Sequence, residues 1–196
     1  MSVGFFLSVH SSYTENGQAA ADSFVRAIND ALLSQGLGRY VDPEEPPNAY
    51  VGPKFGRSSL DHHSASCLVD VAELEPTLSH LELIAFNPYR VAFLPLDFPS
   101  PLETTHREWI NDVEPALWIG SAPRLLRELQ TLSSRLGISC PTSGLTDDLA
   151  AQIDNLERLA PGDPQALVED TRTAWLLLYE GARLAITHGT ALSLAG

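Results

Sequence analysis

The stretch SSLDHHSASCLVD, residues 58–70, places Asp61, His62, His63 and Cys67 within seven positions. Carboxylate, imidazole and thiol are the side chains that bind zinc or run nucleophilic chemistry. What they could do depends on the backbone beneath them. On a helix, His63 and Cys67 lie one turn apart and could share a metal ion. On a strand, His62 and His63 point to opposite faces, while His63 and Cys67 share a face ~13 Å apart, too far for one ion. Ala65, Cys67, Val69 and Val71 alternate, which predicts a strand over 65–71. Cys67, Val69 and Val71 are then core, and Asp61, His62 and His63 occupy a turn or strand entry.

Other catalytic patterns are missing from the sequence. His106-Arg107-Glu108 matches the H-x-E half of a zinc deaminase, but no P-C-x-x-C follows. There is no H-E-x-x-H, no G-x-S-x-G, no Walker A and no G-x-G-x-x-G. A Cys–His enzyme would need Cys67 or Cys140 beside His10, His80, His106 or His188, a proximity that spacing does not supply. The expectation is a protein that is not an enzyme and holds no cofactor or metal. A small hydrolase or transferase built on Asp61, His62, His63 and Cys67 is the alternative.

Charge narrows the partner. The 25 acidic and 12 basic side chains give a net charge of -13. Contacts to phosphate need a basic surface, so nucleic acid and anionic lipid are poor partners. A basic protein, steered in by the field, is a good one. Residues 103–114, ETTHREWINDVE, set Glu103, Glu108, Asp112 and Glu114 around Trp109. An aromatic anchor with a charged rim is interface chemistry. The opposing reading is that Trp109 and Ile110 pin a connection to the core. A second acidic stretch, DPEEPP at 42–47, adds Glu44 and Glu45 on a loop. Its plainer reading is a solvated linker.

The elements that must position these residues follow from periodicity. VGFFLSV at 3–9 predicts a buried strand. A helix over about 15–35 carries Ala20, Phe24, Ala27, Ile28, Ala31 and Leu32 on one face. Ser12 and Glu15 stand at capping-box spacing before it, and Gly36 and Gly38 after it. Four prolines and two glycines make 39–57 an irregular loop, which Tyr40, Tyr50 and Phe55 could anchor. LELIAF at 81–86 and YRVAFLPL at 89–96 predict an antiparallel hairpin turned by Asn87-Pro88. Residues 97–115 are polar and proline-punctuated, and ALWIG at 116–120 predicts another strand.

The last third is helical. Ser121 caps a helix with Ala122, Leu125, Leu126, Leu129, Leu132 and Leu136 inward, ending at Gly137. Thr146 caps a second, ending at Pro161. Asp163 caps a third, with Pro164 at its first position, running to about His188. Its middle, AWLLLYEGARLAI, is apolar nearly all round and should be the most buried part of the molecule. TALSL then returns as a short strand. The expected fold is α+β, a mixed or mainly antiparallel sheet packed against helices, in one domain over 1–196. Cys67 and Cys140 fit two reduced thiols. The N-terminus has no basic n-region or cleavage site, and no run approaches a membrane span, so a cytoplasmic location is expected.

The closing segment AWLLLYEGARLAITHGTALSLAG, residues 174–196, resembles the end of many immunity proteins of bacterial polymorphic-toxin and contact-dependent inhibition systems. The shared pattern is a long buried helix, a glycine and a short strand in a small acidic protein. The resemblance implies a cytoplasmic inhibitor that neutralises a cognate toxin domain, itself basic, by direct binding over its active site. A regulatory or assembly module with an endogenous protein partner is the remaining alternative.

Overall fold

The N-terminal apolar run enters the sheet directly, as strand β1 (Ser2–Leu7). The computed structural model describes residues 2–43, 59–61, 67–70, 78–86, 90–107, 116–139 and 164–195. Five further strands are β2 (Ser59–Asp61), β3 (Arg90–Leu94), β4 (Leu102–Arg107), β5 (Ala116–Ser121) and β6 (Leu192–Ala195). The longer α-helices among the described residues are α1 (Gln18–Ser34), α2 (Ser79–Phe86), α3 (Ala122–Ser133) and α4 (Pro164–His188). The strands form one sheet in the order β2-β1-β6-β3-β5-β4. Neighbours are antiparallel except β3 and β5, which pair in parallel from Val91↔Trp118 to Leu94↔Ser121. The fold is α+β with a mixed sheet.

Both faces of the sheet are covered. Val91 and Phe93 of β3, with Leu192 and Leu194 of β6, pack against α2, α3 and α4. Ala92 and Leu94, one step out of phase, join Phe24, Ile28 and Leu32 of α1 on the other face. Double coverage explains why the central strands read as continuous apolar runs. The middle of α4 is buried throughout from Ala174 to Ala182, as its composition predicts. Its Trp175 stacks on Tyr179 at 4.8 Å and donates Nε1–H to the Leu129 carbonyl at 2.6 Å. Gly181 allows α4 to lie close to β6, since a Cβ there would come within 2.8 Å of Leu192.

Helix ends follow local chemistry. Ser121 caps α3 by accepting from the Arg124 N–H at 3.2 Å. At the end of α4, Gly189 takes φ 66°, and the Thr190 N–H reaches back to the Ala185 carbonyl at 3.0 Å, closing a Schellman turn. This releases the chain into β6, as TALSL predicts.

Four expectations are corrected. Residues 67–70 are helical, not part of a strand. Cys67, Leu68 and Val69 are all buried, so the alternation there does not mark an inner and an outer face. LELIAF belongs to α2, so it forms no hairpin with β3. Its apolar residues fit either period, and Leu78, Leu81 and Ile84 fall inward at helical spacing. The polar stretch 97–115 contains an edge strand, β4, whose inward positions are Leu102, Thr104 and His106, two of the three polar. The Ser12–Glu15 capping box does not form: Ser12 lies in a 3-10 turn and its hydroxyl donates to the Val9 carbonyl at 2.7 Å. A second turn, Glu15–Gly17, precedes α1, which has no side-chain cap. The predicted Thr146 helix, Cys140 and Asp163 lie outside the described residues.

Candidate interaction site

The most densely bonded polar group described is Asp42, just beyond α1. Its side chain is 1% exposed. It accepts from five donors: the Ser8 hydroxyl (2.9 Å), the Val9 N–H (3.0 Å), the His10 N–H (2.9 Å), His10 Nδ1 (2.5 Å) and the Tyr40 hydroxyl. Tyr40 in turn accepts from the Ala191 N–H at 3.0 Å. Burial raises the Tyr40 hydroxyl's pKa, and the neighbouring Asp42 charge adds to this. The hydroxyl therefore stays a donor. One carboxylate thus ties the end of β1, the loop after α1 and the entry to β6 together.

Ser8 stands where β1 breaks into the His10–Ser12 turn. Its φ of 126° lies in a region that non-glycine residues avoid. The local contacts hold it there: its N–H donates to the Ala191 carbonyl at 2.9 Å, and its hydroxyl both donates to Asp42 and accepts from the Ser11 N–H at 3.2 Å.

His10 extends the hub outward. Its Nε2 lies 2.9 Å from Asp22 of α1, so the ring bridges two carboxylates. Burial opposes its protonation, but bonds to Asp22 and Asp42 and their charges outweigh this and raise its pKa. Beside the ring opens a cleft of ≈ 490 Å³ lined by His10, Ser11, Tyr13, Glu15, Gln18 and Asp42. Val41, at its shoulder in sequence, is 79% exposed. In sequence, Asp42 groups with Glu44 and Glu45 as surface charge; the structure turns it inward. No local pattern signals this, because apart from Tyr40 its partners, Ser8, Val9 and His10, lie more than 30 residues away.

A second buried carboxylate is structural. Glu128 of α3 accepts from the N–H groups of His80 (3.1 Å) and Leu81 (2.8 Å), closing the start of α2, and meets His80 Nδ1 at 3.2 Å.

Of the residues singled out as an interface, Glu103 is described. It is exposed on edge strand β4 and pairs with Arg107 at 3.2 Å. Glu44, Glu45, Glu108, Trp109, Asp112 and Glu114 lie outside the described residues. On the inner side of β4, His106 stacks on Phe24 at 5.5 Å and meets the Ser23 hydroxyl at 3.1 Å, which gives the H-x-E histidine a packing role. Asp61 ends β2, Cys67 is buried, and His62 and His63 lie outside the described residues. Among the described residues no group of three or more His, Cys, Asp or Glu side chains could hold a metal ion. No described helix is long and apolar enough to cross a membrane.

A search of curated proteins and a search of solved structures each found no match. A scan of family models did find one: the family described as "Putative DNA-mimic protein" matches residues 51–194. DNA mimics bind DNA-binding proteins, so the match indicates a non-catalytic, protein-binding role and no catalytic family. It takes in β2 through β6 and begins after α1 and the Asp42 hub. With about three quarters of its length matched, the chain belongs to this DNA-mimic family.

Proposed function

We propose that the protein is an inhibitor that occupies the nucleic-acid-binding surface of a basic, DNA-acting protein. In its sharpest form the partner is a cognate toxin domain in the cytoplasm, and the chain is its immunity protein. The observation that carries the reading is a net charge of -13 in a member of a DNA-mimic family. A DNA-binding surface is built to meet about one negative charge per 1.7 Å of duplex. Carboxylates offered at comparable density meet the same arginines and lysines. They also steer the partner in at long range. Glu103 on β4 stands on an exposed sheet edge where such a partner could reach it.

The experiment is capture of the partner on tagged full-length protein, with and without excess duplex DNA. The expected result is a captured protein that binds DNA alone, loses DNA when this protein is added, and is released by duplex. A partner with no DNA affinity, or one retained at saturating duplex, overturns the reading. Co-expression separates the toxin form from an endogenous regulatory partner: restored growth supports the toxin form, and a housekeeping partner without protection opposes it.

A further inference from the structure

We propose that His10 is a pH-sensitive latch, which ties the start of α1 to the turn after β1 and releases it when the ring loses its proton. The latch does not depend on the inhibitor reading, and its residues lie outside the part of the chain that the family match covers. It follows from the two ring nitrogens. Nδ1 lies 2.5 Å from Asp42, and Nε2 lies 2.9 Å from Asp22. A carboxylate only accepts, so both contacts are hydrogen bonds only while both nitrogens carry a proton. A neutral imidazole has one N–H and one lone pair, and it turns the lone pair against one of the two anions.

The surroundings decide which contact breaks. The Asp42 side chain is buried and fixed by the Ser8 hydroxyl, the Val9 and His10 N–H groups and the Tyr40 hydroxyl. It cannot turn away, so the neutral ring keeps its proton on Nδ1. The Asp22 side chain is 67% exposed. It can swing into water, or toward the exposed Arg26 one turn further along α1. No side chain caps the start of α1, so losing the Asp22 contact loosens its first turns from the His10–Ser12 turn. Phe24, Ile28 and Leu32 stay buried and hold the rest of the helix.

Glu15 is the other charged group beside the ring, where it lines the cleft and favours the protonated form. Strands β1 and β6 also touch this turn, and neither carries a titratable side chain. Burial opposes protonation of His10, but the bonds and charges of Asp22 and Asp42 outweigh it. The latch is therefore closed below about pH 6.5 and opens as pH rises through the higher folded value.

The test is a pH titration of the full chain by NMR, reading the ring nitrogens of His10 and the backbone amides of residues 9–12 and 18–23. One shared midpoint above about pH 6.5 is expected. Above it the ring should be the Nδ1–H tautomer, and the Asp22 and Ser23 amides should have shifted to a plateau. Asp22→Ala should lose that amide shift and lower the ring's midpoint, and Glu15→Gln should keep the shift. A neutral ring protonated on Nε2 puts the break at Asp42 and overturns the proposal. So do α1 amides that stay in place through the midpoint, or that respond equally in Asp22→Ala. Equal loss of the shift in Glu15→Gln and Asp22→Ala marks a general charge effect and overturns it as well.

Discussion

The Asp42 carboxylate takes two hydrogen bonds from His10, one from its backbone N–H at 2.9 Å and one from Nδ1 at 2.5 Å, across 32 residues of chain. Removing that carboxylate leaves several donors in a nearly closed site. Asp42→Ala is expected to destabilise the fold by about 3–5 kcal/mol, and Asp42→Asn, which keeps one acceptor oxygen, by somewhat less. Urea unfolding checks this, with a lower midpoint at an unchanged slope as the expected form.

His10 makes stability fall as pH rises. Asp22 from α1 and Asp42 from the following loop bond its two ring nitrogens, and Glu15 lines the cleft beside it. Burial opposes protonation, yet the two bonded carboxylates raise its pKa. Between the unfolded value of about 6.5 and the higher folded value, the folded state holds more protons. Its contribution is therefore fully present below about pH 6.5 and is lost as pH climbs through the folded value. Thermal melts of the wild type and His10→Gln across that window should show the slope disappear in the variant.

Glu128 closes the start of α2 from a different helix. Glu128→Ala leaves the His80 and Leu81 N–H groups without this acceptor in a buried setting. A loss of about 2–3 kcal/mol is expected. Amide exchange should quicken first in Ser79–Phe86 and only later in α4, because the cap acts on one element.

Gly120 of β5 is pressed against Phe93 of β3. A Cβ at this position would stand 2.5 Å from the Phe93 ring, in the middle of the sheet. Phe93 is fully buried and has little room to turn. Gly120→Ala should destabilise by about 1–3 kcal/mol, read by a lower melting temperature, and Phe93→Leu in the same chain should restore part of the loss.

Association with the partner should carry the signature of charge. Reversal of Glu108 and Asp112 to lysine is expected to slow the on-rate and flatten its dependence on salt, with a smaller effect on dissociation. Stopped-flow or biosensor kinetics at several ionic strengths measure both. Unchanged kinetics would remove the 103–114 stretch from the interface.

Elements with a one-sided signal were legible. Residues 18–34, 90–94, 116–121, 122–133 and 192–195 carry either a clean period or a strong end signal such as Ser121 or Gly189. The misread segments share a physical cause. LELIAF is apolar at every position but Glu82, so its period carried little information, and its start is closed by Glu128, 47 and 48 residues away in the chain. LETTHR is a strand whose inner face is Leu102, Thr104 and His106, so that two of its three inward positions are polar. Polar residues become buried there because the Leu117 carbonyl satisfies Thr104 at 2.9 Å, and Ser23 and Phe24 of α1 receive His106.

The chemistry-bearing cluster at Asp61, His62, His63 and Cys67 drew attention because its members are adjacent in sequence. The hub at Ser8, His10, Tyr40 and Asp42 offers no such cue, since it assembles from the end of a strand and a loop on either side of α1.

Sequence by itself determined the acidic balance, the α+β class, the buried course of the last helix and the lack of an enzyme signature. Those properties are sums or short-range periods, and a linear chain displays both. Tertiary structure alone decided which carboxylates are surface charge and which are structural. Asp42 and Glu128 look like any other acidic residue until the chain folds, because burial and hydrogen-bond partners are set by residues brought from elsewhere in the chain.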